Sequence, residues 1–233
     1  MLGRTPLGGG QAAPQRSEPG VAVSSGVGSL SSRLGIGVSA TALVAMMAAT
    51  PGISSLELSL FRLVNQLPAS FRIALSTVMQ LGSLAAVPAT AGVALSKRRP
   101  ALAADLALAG GLSWVAAKAM KVMVARERPA LLLTEVLIQG REQGGSGFPS
   151  GHAAVAASLA TVAGHQLPVP AGHVTRVSVA AVALARVYIG AHLPIDVLGG
   201  GALGFTIGTA VLVRHVRTAR LRSSVSPGVT LSQ

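Results

Sequence analysis

The sequence predicts an all-α fold, a bundle of six transmembrane helices. Three observations carry that expectation. Half of the 233 residues are apolar and only 11% are charged, with a mean hydropathy of +0.60. This is too apolar for a water-soluble domain of that length and too evenly spread for one buried core. Six apolar segments approach the roughly 20 residues that a helix needs to cross the hydrocarbon layer. Most basic residues fall in alternate connections between those segments, the distribution that multi-pass topology imposes. There is no cysteine, so neither disulfides nor thiolate metal sites contribute, and stability has to come from helices packing in lipid.

Residues 1–33 are rich in Gly, Ser and Pro without apolar periodicity and are expected to form a disordered cytoplasmic tail. The first apolar segment, residues 34–50, reads either as a span or as the core of a signal peptide, although the stretch before it is long for the latter. Residues 53–71 set Leu56, Leu60, Phe61 and Leu63 among Glu57, Arg62 and Asn65, a weakly amphipathic stretch suited to the membrane interface. The other spans are expected at 73–95, 101–125, 151–167, 174–191 and 194–213. In the last, Gly200, Gly204 and Gly208 recur every four residues, the spacing that lets helices approach closely, and they are read as packing rather than ligand-binding. The folded unit is thus expected over residues 34–216, with a flexible cytoplasmic tail at 217–233.

Loop charge sets the orientation. Arg4, Arg16 and Arg33 precede the first span, Lys97, Arg98 and Arg99 join the second to the third, Arg176 opens the fifth, and Arg214, Arg217, Arg220 and Arg222 follow the sixth. Six spans place all of these on one side, which is then cytoplasmic and holds both termini. The net charge of +12 has this origin. Its dispersal, with one Trp, one Tyr and four Phe, does not suit a nucleic-acid partner. Membrane lipids are the expected surroundings.

Three short stretches carry chemistry at the outer ends of the spans. Lys121 and Arg128 are seven residues apart, two helical turns, so a continuous helix would project both from one face, with Pro129 marking its end. Alone they read equally as a snorkelling lysine and a solvated flank. In Pro149-Ser150-Gly151-His152, Ser150 is a suitable N-cap that leaves the Gly151 and His152 amides at a helix start, where an anion is favoured. A bare tetrapeptide of this kind is more often an ordinary cap; the preceding Gly144-Gly145-Ser146-Gly147 adds a loop able to wrap a ligand. Asp196 follows His192 by four residues, with Pro194 suited to a first helical turn, so its carboxylate can reach the imidazole, fix its tautomer and leave the other nitrogen free. As an isolated pair these would more often be an interfacial histidine and a capping aspartate. Arg186, inside an apolar segment, is costly unless it faces a polar cavity or a partner. Together the stretches supply fixed cations, amide donors, a nucleophile and an acid, the parts of a phosphate cage.

The sequence resembles the type-2 phosphatidic acid phosphatases, the lipid phosphate phosphatases. The family's motifs are a Lys separated by six residues from Arg-Pro, a Pro-Ser-Gly-His, and a Ser-Arg with His and Asp downstream; all occur here in order, over roughly residues 55–213. Ala185 stands where the family usually has Ser, one hydroxyl fewer beside Arg186. The resemblance implies that His192 is the nucleophile and passes through a phosphohistidine, that Asp196 orients it, and that His152 protonates the leaving group and helps to activate water. It implies that Lys121, Arg128, Arg186, Ser150 and the Gly151 amide hold the phosphoryl oxygens. No metal and no cofactor is expected, since three fixed cations can neutralise what magnesium neutralises elsewhere.

The expected function is that of an integral membrane lipid phosphatase with an extracytoplasmic active site. It would hydrolyse a phosphomonoester or diphosphate on a lipid, polyprenyl diphosphate, phosphatidate and phosphatidylglycerophosphate being the family's usual substrates. Two alternatives stand beside it, a lipid-linked phosphotransferase and a non-catalytic lipid-binding subunit. The second would tolerate loss of His192 or His152, which this chain keeps. The loop at 130–148, with Glu135, Arg141 and Glu142, is the natural place for headgroup selectivity. Asp105, about one turn from the Lys97–Arg99 loop, is expected to reach the cytoplasmic interface and pair there, and His165, His173 and His215 to be solvated on that side.

Overall fold

The computed structural model describes residues 19–141 and 143–225, and every regular element among them is helical. The helices are α1 (Pro19–Ala49), α2 (Ser55–Asn65), α3 (Arg72–Met79), α4 (Ala86–Ser96), α5 (Pro100–Val124), α6 (Pro129–Leu132), α7 (Gly151–Gln166), α8 (Val169–Tyr188) and α9 (Pro194–Val225). Two ends differ from expectation. Helix α1 includes residues 19–33, read above as tail: after Pro19 the next proline is Pro51, so nothing in between removes a helical hydrogen bond. Helix α9 runs past residue 217 for the same reason, with neither Gly nor Pro from 209 to 226. The expected tail residues 1–18 and 226–233 lie outside the described residues.

The segment expected as a second span is broken. Ala69–Gly82 and Ala86–Ser96 meet at 70°, through a 3₁₀ turn at Gln80–Gly82. Gly82 lies on the carbonyl of His152, where a Cβ would have no space, so the start of α7 sits in the bend. Among the described residues Gly28–Ala49, Pro100–Leu132 and Pro194–Ala219 are long and apolar enough to cross a membrane, and the bent pair makes up to four. The six expected segments are largely helical; the others fall short of that length and hydropathy. Helix α7 has only 16 residues. It packs against α5, α8 and α9, and a helix enclosed by protein has no need to match the bilayer.

The α7–α9 contact is a seam of small residues. Gly200, Gly204 and Gly208 rest against Ser150, Ala154, Ser158 and Thr161 of α7, where a Cβ would collide with main chain or side chain. Close approach of two backbones replaces side-chain interdigitation, as the four-residue spacing implies. A Gly204→Val change is therefore expected to destabilise the fold by about 1–3 kcal/mol through overpacking, read as a lower melting temperature in detergent. Gly201→Val, directed into open space, should leave it nearly unchanged.

Asp105 is paired, and its partners come from α9. It is buried between α5 and α9, with its carboxylate 2.8 Å from His215 Nδ1 and 3.9 Å from Arg214 Nη2. Helices α5 and α9 pack together, so His215 is engaged rather than merely solvated.

Helix α2 is amphipathic in an unusual sense. Glu57, Phe61 and Asn65, spaced by four, face the bundle and are buried, while Leu56, Leu60 and Leu63 point outward with 69%, 44% and 68% exposure. Asn65 donates to the carbonyls of Leu137 and Tyr188, each at 2.9 Å, and accepts from the Leu137 amide at 2.9 Å. The outward leucines suit the interfacial placement expected from sequence. The inward face is tied to the bundle by polar contacts.

Candidate active site

Lys121 and Arg128 reach one place by a route the spacing did not anticipate. Helix α5 stops at Val124, and Ala125 caps it in the left-handed region at φ 50° and ψ 24°. Arg128 is extended, φ −82° and ψ 160°, because a residue before proline is pushed out of the helical region. The two cations therefore converge through a turn, not from one helical face. Lys121 Nζ donates to the carbonyls of Ser146 at 2.7 Å and Gly147 at 3.0 Å. Arg128 Nε donates to Gly144 at 3.1 Å and Gly145 at 3.0 Å, and its Nη1 to Ala191 at 2.7 Å. The glycine-rich loop is thus wound on both cations, with Gly145 at φ +74°, a conformation that glycine adopts without cost. Beyond the loop, the buried ring of Phe148 occupies the space beside Gly199 of α9.

Ser150 is the N-cap of α7, its hydroxyl accepting from the Ala153 amide. Its own amide donates to the carbonyl of Asp196 at 2.9 Å, which joins two stretches far apart in sequence. The first amide of α7 taken by a main-chain carbonyl is that of Ala154, by Ser150, so Gly151 and His152 precede it at the positive end of the helix. The space beside Gly151, where a side chain would stand, is open.

Arg186, in the last turn of α8, is only 2% exposed. Its Nη1 meets Met79 Sδ at 3.1 Å and its Nη2 donates to Gln143 Oε1 at 3.2 Å, while its Nε is buried without a hydrogen-bond acceptor. Ala185 beside it is fully buried.

His192 and Asp196 sit where α8 passes into α9, and both are buried. Asp196 Oδ2 accepts from the Leu193 amide at 2.8 Å. His192 Nδ1 lies 3.6 Å from that oxygen, inside ion-pair range but longer than a hydrogen bond. The carboxylate and the imidazole are therefore adjacent but not hydrogen-bonded in this geometry. Burial, reinforced by Arg186, Lys121, Arg128 and His152, holds the His192 imidazole well below the usual histidine range. The ring is consequently neutral at neutral pH, with an unshared pair on one nitrogen.

All eight residues singled out from the sequence thus gather at one end of the bundle, drawn from α5, the Arg128–Pro129 junction, α7, α8 and the start of α9. Sequence reasoning missed Arg126 and Glu57. Arg126 Nη1 donates to Asp196 Oδ1 at 3.1 Å, and its guanidinium grips both oxygens of Glu57, at 3.1 and 2.8 Å. The available signal was an acidic residue amid the leucines of α2, costly unless paired. Among the described residues no group of three His, Asp or Glu side chains is arranged to hold a metal ion. The donors that converge here suit an anion.

The model of the PAP2 superfamily matches residues 102–220. The fold is similar to the crystal structure of LpxE from Aquifex aeolicus, with a TM-score of 0.64 and 28% identity over 68% of this chain and 96% of that one. It is also similar to a transmembrane PAP2-type phosphatidylglycerolphosphate phosphatase from Bacillus subtilis, with a TM-score of 0.61 and 21% identity over 78% and 96% of the two chains. No curated protein matches the sequence significantly.

Proposed function

The chain belongs to the PAP2 superfamily and is an all-helical membrane phosphatase, and from that premise we propose that it hydrolyses a lipid phosphomonoester or diphosphate through a phosphohistidine, without a metal ion. One observation carries the reading. Arg186, Lys121, Arg128 and His152 come from four different elements, yet all lie close enough to the buried His192 to depress its basicity. A neutral imidazole ringed by cations is a nucleophile placed where an anionic phosphoryl group is attracted.

In the proposed reaction Nε2 of His192 attacks phosphorus, since Nδ1 is turned to Asp196. The N–P bond forms as the P–O bond to the lipid breaks, and His152 gives its proton to the departing oxygen. Asp196 offsets the positive charge that develops on the imidazole. Water then attacks phosphorus, surrenders a proton to His152 and breaks the N–P bond, releasing phosphate. Lys121, Arg128 and Arg186 offset charge on the phosphoryl oxygens throughout, which is most of what phosphoryl transfer requires of a protein. The open space beside Gly151, at the start of α7, supports a seat there for one of these oxygens. The charge distribution of the loops supports an extracytoplasmic site with both termini in the cytoplasm. The activity of the Bacillus subtilis neighbour, a phosphatidylglycerolphosphate phosphatase, makes phosphatidylglycerophosphate one member of the test panel.

The test is phosphate release by the purified protein in EDTA from polyprenyl diphosphate, phosphatidate and phosphatidylglycerophosphate, with and without orthovanadate. Release is expected to persist in EDTA and to be inhibited by vanadate, a five-coordinate oxyanion suited to the same cations. Loss in EDTA with recovery in magnesium would contradict the metal-free mechanism. Transfer of phosphate to an added lipid hydroxyl in place of release would favour the phosphotransferase.

A further inference from the structure

We propose that Glu57, on α2, is a positioning residue for the reaction, acting through Arg126 to fix the carboxylate of Asp196 behind His192. This rests on the roles given above to His192 and Asp196. Glu57, Arg126 and Asp196 form a buried chain that no local motif announces, with partners 69 and 70 residues apart in sequence. Glu57 Oε1 also accepts from the amide of Ile195 at 3.1 Å, so the same side chain holds the main chain next to Asp196. Each oxygen of Asp196 is then assigned, Oδ1 to Arg126 and Oδ2 to the Leu193 amide, which leaves the carboxylate one orientation.

Two features favour a positioning role over a merely structural one. Ser54 and Glu57 have the spacing of a capping box, in which the glutamate would turn back to the amide of Ser54. Ser54 does cap α2, accepting from the Glu57 amide at 3.1 Å, but the Glu57 carboxylate is directed into the bundle instead. In addition, burying an ion network is a weak way to fasten a helix, because desolvation offsets much of the attraction. Phe61, one turn along, already fastens α2 through the apolar cluster with Val187, Leu193 and Val197. What the charges add is direction. Arg126 alone would cancel the charge of Asp196; with Glu57 on its other side, Arg126 is shared, and the group keeps a net negative charge facing the imidazole.

The experiment is a double-mutant cycle of Glu57→Gln and Asp196→Asn, read by kcat, KM and the pH profile of phosphate release. Glu57→Gln is expected to lower kcat by about 10- to 100-fold, the range typical for loss of a group that orients a reacting one, with KM little changed. Removing its charge should also move the acid limb to lower pH, because His192 then faces Lys121, Arg128, His152 and Arg186 with less opposing charge. On the Asp196→Asn background the same change should cost less than about twofold, since residues acting as a unit are not additive. Glu57→Asp, which keeps the charge and shortens the reach, should lower kcat while leaving the acid limb in place. Asn65→Ala is the control that loosens α2 without touching the carboxylates.

An equal cost of Glu57→Gln in both backgrounds, or an Asn65→Ala variant with the same kcat and the same shifted acid limb, would overturn the proposal and reduce α2 to a structural cover. So would wild-type kinetics of Glu57→Gln. Wild-type kinetics of Asp196→Asn would instead overturn the role of Asp196 itself, and this inference with it.

Discussion

Replacement of His192 by alanine is expected to lower phosphate release by about 10⁴-fold or more, the scale seen when a nucleophile or its base is removed. No other described imidazole can take over. His152 opens α7 and is assigned the proton, while His165, His173 and His215 lie at the opposite end of the bundle, where His215 meets Asp105. The measurement is steady-state release from the best substrate, with the melting temperature as a check that the buried cavity left by the ring has not unfolded the protein. The wild-type enzyme should also hold its rate as pH falls through the ordinary histidine range near 6.5. The sign follows from the depressed basicity of His192: a group harder to protonate stays nucleophilic to lower pH. A folded His192→Ala protein with the wild-type rate would remove the phosphohistidine.

Arg186→Met should separate activity from stability. Arg186 is almost wholly buried, holds a thioether and an amide oxygen, and has an Nε with no acceptor. Such a group is poorly compensated for the water it has lost. An apolar side chain of similar length is therefore expected to leave the melting temperature unchanged or raise it. The catalytic cost should run the other way, about 10²- to 10³-fold in kcat/KM, as for other preorganised donors to a charged transition state. If the variant instead melts several degrees lower and keeps its kcat/KM, Arg186 is a structural residue and the cage has two cations, not three.

The sequence made the family legible because its chemistry sits in short stretches of fixed local spacing, from Lys121 to Asp196. The helical membrane architecture was legible because apolar runs of span length have few other meanings. Features that depend on contact across the bundle were not. The 70° break at Gln80–Gly82 interrupts a continuous apolar run, and hydropathy does not register that Gly82 must clear the carbonyl of His152. Arg128 left the helical face that its spacing suggested, because Pro129 governs the backbone before it. Glu57 read as part of an interfacial stretch, and only the packing of α2 over the start of α9 brings it, through Arg126, to Asp196. That Asp105 would be paired was legible, but its partner His215 depends on the packing of α5 against α9.

The glycine-rich loop alters what it means to bind here. Lys121 and Arg128 are already engaged with carbonyls of residues 144–147 and 191, so a phosphate gains only the margin by which its oxygens outcompete main-chain oxygens. Hydrogen bonds to an anionic acceptor are roughly twice as strong as those between neutral groups. That margin grows with the charge on the incoming group and vanishes for uncharged headgroups. Recognition is then an exchange of partners, and the loop that yields its carbonyls acts as an internal competitor. Under the roles proposed for Lys121 and Arg128, uncharged lipids gain no such margin, and the loop carbonyls disfavour them without a side chain having to touch them.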